Sequence, residues 1–391
     1  MPKPEPSHQD QKFDDFSERL KQLSEDQRLR QLVPRQNDGV YLIDSAGQKL
    51  LNFGANDYLG IATETRSAAV SAGSGASALV CGWTPEHEKL ASIIADFEST
   101  ESAVVFPSGY AACSSTIAAL AEKDDLILSD ELNHASLIDG CRLSRAKCHV
   151  YPHRGLAAVE EQLTSQRKNF HRVWIVTDGV FSMDGHVAPL VGLCELAEQY
   201  DANLIVDEAH GTGVLGETGS GVCEALGVKD QVAIRIGTLS KAIGAQGGFV
   251  AGPKVVIDYL VNNCRSLIFS TSLSPAAVSA ATQAFELVRS EPKRRTHVCK
   301  LAQQFRSQFP SNESLLPLET SIPIIPVITG ADAQTIAISR SLAERGFYVP
   351  AIRPPTVPEG KSRLRVSLSA AHQPQAIDAL AEAINELLVS S

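Results

Sequence analysis

Residues 204–210 read LIVDEAH, an apolar run that ends in an acidic residue and is soon followed by a histidine. Such a run predicts a buried strand of a parallel sheet, with Asp207 at its carboxyl end. Ligands of open α/β sheets bind outside the carboxyl ends of the strands. Asp207 and His210 are therefore candidate functional residues, and the stretch indicates where in the fold a site would lie.

A lysine lies downstream, in a segment of small residues at 237–248 (GTLSKAIGAQGG) that follows a second apolar run. A lysine crowded by small and apolar residues can form a Schiff base with a carbonyl group. Taken alone, Lys241 would more simply be a lysine at the exposed end of a strand. Together with Asp207 it indicates catalysis.

An upstream turn supplies a third feature. Residues 107–110 (PSGY) follow a predicted strand at 103–106 and open a predicted helix. A helix N-terminus offers free backbone N–H groups and a favourable dipole to a phosphate. Pyridoxal 5'-phosphate (PLP) needs such a phosphate site, an anion against its ring nitrogen and a lysine. Gly109, Asp207 and Lys241 in this order predict a PLP site.

The surrounding sequence alternates between short β-branched runs and Ala-rich helical periods. Strands are predicted at 103–106, 126–128, 173–177, 204–206, 232–236 and 248–251, and helices at 109–121, 134–143, 156–163 and 190–200. This alternation predicts a mostly parallel sheet with helices on both faces, an α/β fold.

Flanking segments complete the predicted organisation. A helix is predicted near 16–32 and a two-stranded ribbon at 40–53, so residues 1–52 form an N-terminal segment. Residues 53–275 are the predicted large domain, and residues 276–391 a smaller α+β domain. Its predicted strands are 324–328, 347–349 and 363–367, the first an edge strand because it contains Pro326.

Composition excludes several classes of function. The 391 residues carry 35 Lys and Arg against 45 Asp and Glu, a formal charge of −10. Such a chain has no global field to attract nucleic acid or an anionic membrane. No apolar run approaches the roughly 18 residues of a membrane span, and residues 1–15 lack the apolar region of a secretory signal, so we expect no secretion. The eight Cys form no CxxC pair, so we expect reduced thiols, a cytoplasmic protein and no metal site.

Two motifs are typical of other classes of protein, but the surrounding sequence does not support either function. Residues 207–210 spell the DEAH of a helicase, but no P-loop precedes them, and the only GKS, at 360–362, lacks the required first glycine. Residues 73–78 (GSGASA) fit a dinucleotide fingerprint but do not follow a strand-like run. An ATPase and an NAD-binding enzyme are therefore disfavoured.

The chain resembles the α-oxoamine synthase family of fold-type I PLP enzymes over nearly its whole length, from about residue 52 to 372. The motifs that carry the resemblance are 52–60 (NFGANDYLG), 133–136 (NHAS), 181–185 (FSMDG), 207–213 (DEAHGTG) and 238–241 (TLSK). Residues 351–358 (AIRPPTVP) and 364–372 (LRVSLSAAH) are similar to the branch that condenses L-alanine with a pimeloyl thioester.

The resemblance implies a role for each matching residue. Lys241 would carry the cofactor and move the Cα proton, Asp207 would pair with the ring nitrogen, and His134 would stack on the ring. The remaining cofactor contacts would come from Ser108, Gly109, Tyr110, Ser182, His210, Thr238, Ser270 and Thr271. Ser270 and Thr271 would reach the partner subunit's phosphate, which implies a homodimer.

Substrate contacts are implied for Arg30, Asn56 and Arg353, with Arg353 as the carboxylate clamp, a role suited to a planar guanidinium. Simpler interpretations remain: His134 and Ser182 as helix caps, Asn56 in a turn, and Arg353 bonding loop carbonyls.

The expected reaction is a decarboxylating condensation of L-alanine with a pimeloyl thioester, carried by CoA or by acyl carrier protein. Another family member using glycine or serine is the nearest alternative; a nucleotide-dependent ATPase and a non-catalytic scaffold are alternatives from other classes. Departures from the family pattern lie at Ala78, Asp178, residues 153–155 and the short segment 61–72. Ala78 and the short segment leave the acyl partner open.

Overall fold

The computed structural model describes residues 14–65, 71–309 and 315–389. The described parts form two compact units, one from residues 14–54, 326–366 and 379–389, the other from residues 55–65, 71–309, 315–325 and 367–378. The predicted boundaries at 52/53 and 275/276 differ from these limits, because residues 276–325 belong to the second unit. The three-part division of the chain stays a prediction.

Within residues 14–54, the N-terminal part contains the helix α1 (Asp14–Glu25) and three short antiparallel strands, β1 (Gln36–Asp38), β2 (Tyr41–Ile43) and β3 (Lys49–Asn52). The helix is shorter than predicted, since Gln27 has a φ of 57°, a left-handed conformation that a helix cannot continue through. The predicted ribbon is present, and β1 adds a strand that the sequence pattern missed.

The second unit is built on a seven-stranded sheet. Its strands are β4 (Ser102–Phe106), β5 (Leu126–Asp130), β6 (Lys147–Tyr151), β7 (Val173–Asp178), β8 (Asn203–Asp207), β9 (Ile234–Thr238) and β10 (Gly248–Gly252). Their order is β4-β10-β9-β8-β7-β5-β6, with only β10 antiparallel to its neighbours. The predicted mostly parallel sheet is confirmed. Strand β6 was missed because its sequence, KCHVY, is polar and its residues are largely exposed.

Helices accompany this sheet along the chain. They are α2 (Pro85–Glu98), α3 (Gly109–Leu120), α4 (Ala135–Leu143), α5 (Leu156–Gln166), α6 (Leu190–Gln199), α7 (Val222–Ala225), α8 (Lys254–Asn263), α9 (Arg265–Ile268), α10 (Pro275–Ser290) and α11 (Lys293–Ser307). A buried apolar cluster joins α3, α4 and α8 to the strands. Phe285 of α10 packs edge-on against Phe97 of α2, with ring centroids 5.0 Å apart, so α10 is part of this unit.

The C-terminal part contains β11 (Ile324–Gly330), α12 (Asp332–Glu344), β12 (Phe347–Tyr348), β13 (Ala351–Ile352), β14 (Ser362–Ser367) and α13 (Pro374–Val389). Strand β12 pairs in parallel with β3, and β11, β14 and β13 form a three-stranded sheet in that order. Strand β11 lies at an edge, as Pro326 predicted. No helix within the described ranges has the length and hydrophobicity that a membrane crossing requires.

Candidate active site

At one edge of the large sheet, four parallel strands end with a residue that has a polar side chain. Asp130, Asp178, Asp207 and Thr238 are the last residues of β5, β7, β8 and β9. These four strands are consecutive in the sheet, and Asp178 and Asp207 are paired in register. Polar groups of several strands therefore lie together at the sheet edge where residues 204–210 predicted a site. This is the usual place of a ligand site in an α/β fold.

Lys241 and His210 are in direct contact at this edge. Lys241 lies in the loop after β9, and its Nζ is 2.8 Å from Nε2 of the buried His210. On the other side of the imidazole, Nδ1 lies 2.6 Å from the hydroxyl of the buried Tyr58. The Tyr58 hydroxyl donates to Oδ1 of Asn56 at 3.0 Å.

These contacts hold the His210 ring from both sides. Nδ1 contacts the Tyr58 hydroxyl, which also contacts Asn56. Nε2 contacts the Lys241 amine, and the tautomer of the ring decides which partner donates in each contact. The result is a continuous series of hydrogen bonds from Lys241 to Asn56.

Asp207 is buried, with a donor on each carboxylate oxygen. Oδ1 accepts the backbone N–H of Ala209 at 2.8 Å, and Oδ2 accepts the Cys113 thiol at 3.2 Å. Burial and the charge of Asp207 raise the pKa of Asp178 well above its usual range. Two adjacent buried carboxyls avoid carrying two charges, so Asp178 favours its neutral form beside Asp207.

His134 caps α4 through its ring. Nδ1 lies 2.7 Å from the Ser136 hydroxyl and accepts the Ser136 backbone N–H at 3.2 Å, which leaves the ring proton on Nε2. Burial lowers the pKa of His134, and Lys241 lowers it further, against the opposite effect of Asp207. The neutral ring is favoured. The simpler interpretation of His134 as a helix cap is therefore correct as local structure, and it does not exclude the stacking role.

The helix N-terminus predicted to hold a phosphate approaches strand β9. Ser108 is the N-cap of α3, and its hydroxyl accepts the N–H of Ala111 at 3.1 Å. A Cβ atom on Gly109 would lie 3.0 Å from Oγ1 of Thr238, so a side chain there would require Thr238 to shift. Tyr110 is half exposed, and its hydroxyl donates to Asp139.

Three further predicted cofactor-binding residues, Ser182, Ser270 and Thr271, lie outside the regular strands and helices. Ser182 follows β7 in a turn closed by the bond from the Gly185 N–H to the Phe181 carbonyl. Ser270 and Thr271 lie between α9 and α10, where Thr271 forms an isolated bridge with Ser77. Their roles stay predictions.

Arg30 and Arg353 belong to the first unit. Arg30 donates to the Thr356 hydroxyl at 3.3 Å, and Arg353 donates to the backbone carbonyl of Gln27. The simpler interpretation of Arg353, a side chain that bonds a loop carbonyl, thus describes this contact. Its role as a carboxylate clamp stays a prediction.

Sequence reasoning missed two residues of this arrangement. Tyr58 lies inside the quoted motif 52–60, yet nothing in the motif indicates that its hydroxyl contacts His210. Cys113 lies in an Ala-rich helix and carries no local signal. Both contacts join residues far apart in the sequence, so only the folded chain brings them together.

Comparison with known proteins defines the class of this chain. The family model "Aminotransferase class I and II" matches residues 48–384. The chain belongs to this family. The match covers both the large sheet and most of the C-terminal part.

Curated relatives narrow the class further. An 8-amino-7-oxononanoate synthase of Lysinibacillus sphaericus is 43% identical over 87% of this chain and 89% of the relative. One of Alkalilimnicola ehrlichii is 45% identical over 90% of this chain and 91% of the relative. A solved serine palmitoyltransferase from S. paucimobilis with a bound PLP–myriocin aldimine superposes with a TM-score of 0.88 at 26% identity, covering 97% of this chain and 98% of that one. The predicted α-oxoamine synthase resemblance, α/β fold, acyltransferase class and PLP cofactor are confirmed.

The residues at the sheet edge fit PLP. Asp207 offers a buried carboxylate with both oxygens held by donors. Lys241 offers an amine, and the N-terminus of α3, where Gly109 lies close to Thr238, offers backbone N–H groups. These three features match the ring nitrogen, the carbonyl carbon and the phosphate of the cofactor.

Proposed function

We propose that this chain condenses L-alanine with a pimeloyl thioester to give 8-amino-7-oxononanoate for biotin synthesis, with release of carbon dioxide and of the free thiol of the acyl carrier. The proposal depends on the contact between Lys241 Nζ and His210 Nε2, which are 2.8 Å apart. This contact lies at the edge of the sheet where β8 ends with Asp207. The names of the curated relatives support the choice of substrates.

Bound PLP supplies an electron sink for the negative charge that develops on Cα of the amino acid. Asp207 would bind the protonated ring nitrogen, and such a charge-assisted hydrogen bond contributes about 1.5–3 kcal/mol. Lys241 would take the proton from Cα of alanine and later return one to the product. His210, held by Tyr58, would hydrogen-bond the ring hydroxyl oxygen together with Ser182.

His134 and the helix N-terminus complete the cofactor site in this proposal. The neutral His134 ring would stack on the cofactor ring. The Ser108–Tyr110 turn and the Thr238 hydroxyl bind the phosphate, where the dipole of α3 favours negative charge.

Three residues are proposed to bind the substrates. Arg353 would bind the alanine carboxylate with two parallel N–H bonds, and Asn56 and Arg30 would contact the substrates. Arg353→Lys replaces a bidentate fork with a point charge, so we expect KM for alanine to rise about 10-fold with a smaller change in kcat. Steady-state kinetics checks this; an unchanged KM would remove Arg353 from the substrate site.

We further propose that the chain acts as a cytoplasmic homodimer in which Ser270 and Thr271 reach the partner subunit's phosphate site. Support for the location comes from the eight cysteines, all of them free thiols. Support for sharing comes from the family motif alone.

A substrate matrix tests the proposal. Alanine, glycine and serine are assayed with pimeloyl-CoA, pimeloyl-acyl carrier protein, acetyl-CoA and palmitoyl-CoA, and kcat/KM is compared. Recognition of a methyl group contributes about 1–3 kcal/mol, so alanine should exceed glycine by roughly 10- to 200-fold. The likeness to serine palmitoyltransferase makes serine with palmitoyl-CoA the main rival. A higher kcat/KM for that pair, or for glycine with acetyl-CoA as in glycine C-acetyltransferase, would overturn the assignment.

A further inference from the structure

Cys113 is a buried thiol that the proposed chemistry does not use. It lies on α3, is 3% exposed, and belongs to the apolar cluster beneath the sheet edge. Its one polar proton goes to Oδ2 of Asp207, with Sγ and Oδ2 3.2 Å apart. Burial and the Asp207 charge raise the pKa of this thiol well above its usual range. The protonated thiol is a poor nucleophile, but it is a permanent donor.

The contact links two ends of the candidate site. Cys113 lies one helical turn, about 6 Å, beyond Gly109, which opens the same helix. The strand end that carries Asp207 is thus tied to the helix whose N-terminus approaches Thr238. With Oδ1 held by the Ala209 N–H and Oδ2 by the thiol, the carboxylate plane cannot rotate freely.

We propose that Cys113 is a positioning residue that orients the Asp207 carboxylate for the ring nitrogen of PLP. The thiol acts through Asp207 and touches neither the substrate nor the reacting carbon. The inference rests on the proposed role of Asp207.

Three substitutions separate the donor from the volume of the side chain. Cys113→Ala removes the donor and most of the volume, Cys113→Val keeps the volume without a donor, and Cys113→Ser keeps a donor. Cys194→Ala is the matched control, because Cys194 is an equally buried thiol on α6. Thermal unfolding of each apoprotein reports the purely structural cost.

The readouts are the dissociation constant of PLP and the visible circular dichroism band of the bound cofactor, which reports its orientation. We expect Cys113→Ala and Cys113→Val to weaken PLP binding about 5- to 10-fold and to change the band. Cys113→Ser should stay within about 2-fold of the parent protein, as should the Cys194→Ala control.

These measurements test the role of the Cys113 thiol separately from the proposed reaction. If Cys113→Ser fails as badly as Cys113→Val, packing rather than the hydrogen bond matters, and the proposal is overturned. It is equally overturned if all four variants bind PLP with the parent's affinity and band. A parent protein that binds PLP but lacks condensation activity would contradict the proposed reaction and leave this test valid.

Discussion

Lys241 is the residue on which the proposed reaction depends most directly. Lys241→Ala removes the amine that contacts His210, so we expect turnover to fall by at least about 1,000-fold, since general acid–base catalysis alone contributes 10²–10⁴-fold. Lys254→Ala, at an exposed lysine paired with Asp258, is the control for loss of one charge. Residual turnover near the parent rate, measured in a single-turnover assay, would exclude Lys241 as the catalytic base.

Tyr58 contacts the His210 ring from inside the core and holds its position. Tyr58→Phe keeps the buried ring and removes the hydroxyl that contacts His210 Nδ1 and Asn56 Oδ1. One or two lost hydrogen bonds of about 1 kcal/mol each predict a kcat about 5- to 30-fold lower. Tyr259→Phe, at an exposed tyrosine on α8, is the control. Equal rates for both variants would show that the contact between Tyr58 and His210 has no role in catalysis.

At the scale of elements, a buried ion pair joins α2 to β9. Glu98, the last residue of α2, accepts a hydrogen bond from Nε of Arg235 at 3.0 Å, and both side chains are buried. Burial outweighs the attraction of Arg235 and raises the pKa of Glu98 to about 7. The folded chain therefore holds a proton between about pH 4.5 and 7 that the unfolded chain releases, and stability falls as the pH rises through this window.

Glu98→Gln tests this pH dependence. The amide mimics the protonated carboxyl, so the variant should lack this loss of stability. From pH 5 to pH 8, the free energy of unfolding should shift in the variant's favour by about 1–3 kcal/mol relative to the parent. Urea titrations at several pH values measure the difference, with Glu286→Gln, an exposed carboxyl on α10, as the control. Parallel curves for parent and variant would refute the raised pKa.

At the scale of the whole molecule, the proposed phosphate site is shared between two copies of the chain. Mixing inactive Lys241→Ala with a Thr271→Glu variant should give heterodimers in which one site has both intact residues. Random reassortment predicts recovery of about one quarter of the parent activity. The control is the double variant in one chain, mixed with the Lys241→Ala protein. Failure to recover activity despite proven subunit exchange would show that Thr271 does not serve the partner's site.

Much of this arrangement was predictable from local pattern. The apolar runs before Asp207 and Thr238 predict buried parallel strands, and parallel strands present their carboxyl ends at one edge. That rule is sufficient to group Asp207, His210 and Lys241 without any knowledge of side-chain contacts. Strand β6 and the contribution of α10 to the second unit escaped the pattern, because a polar edge strand and a long-range packing contact leave little periodic signal.

The sequence by itself determined the α/β class, the order of the phosphate turn, the acidic strand end and the lysine, and hence the cofactor. Only the tertiary structure decided that Tyr58 holds His210, that Cys113 donates to Asp207 and that Glu98 meets Arg235. Each of these pairs is separated by at least 94 residues, and no local propensity encodes such a contact. They form because the sheet places distant segments side by side and excludes water from the polar groups between them, which must then satisfy one another.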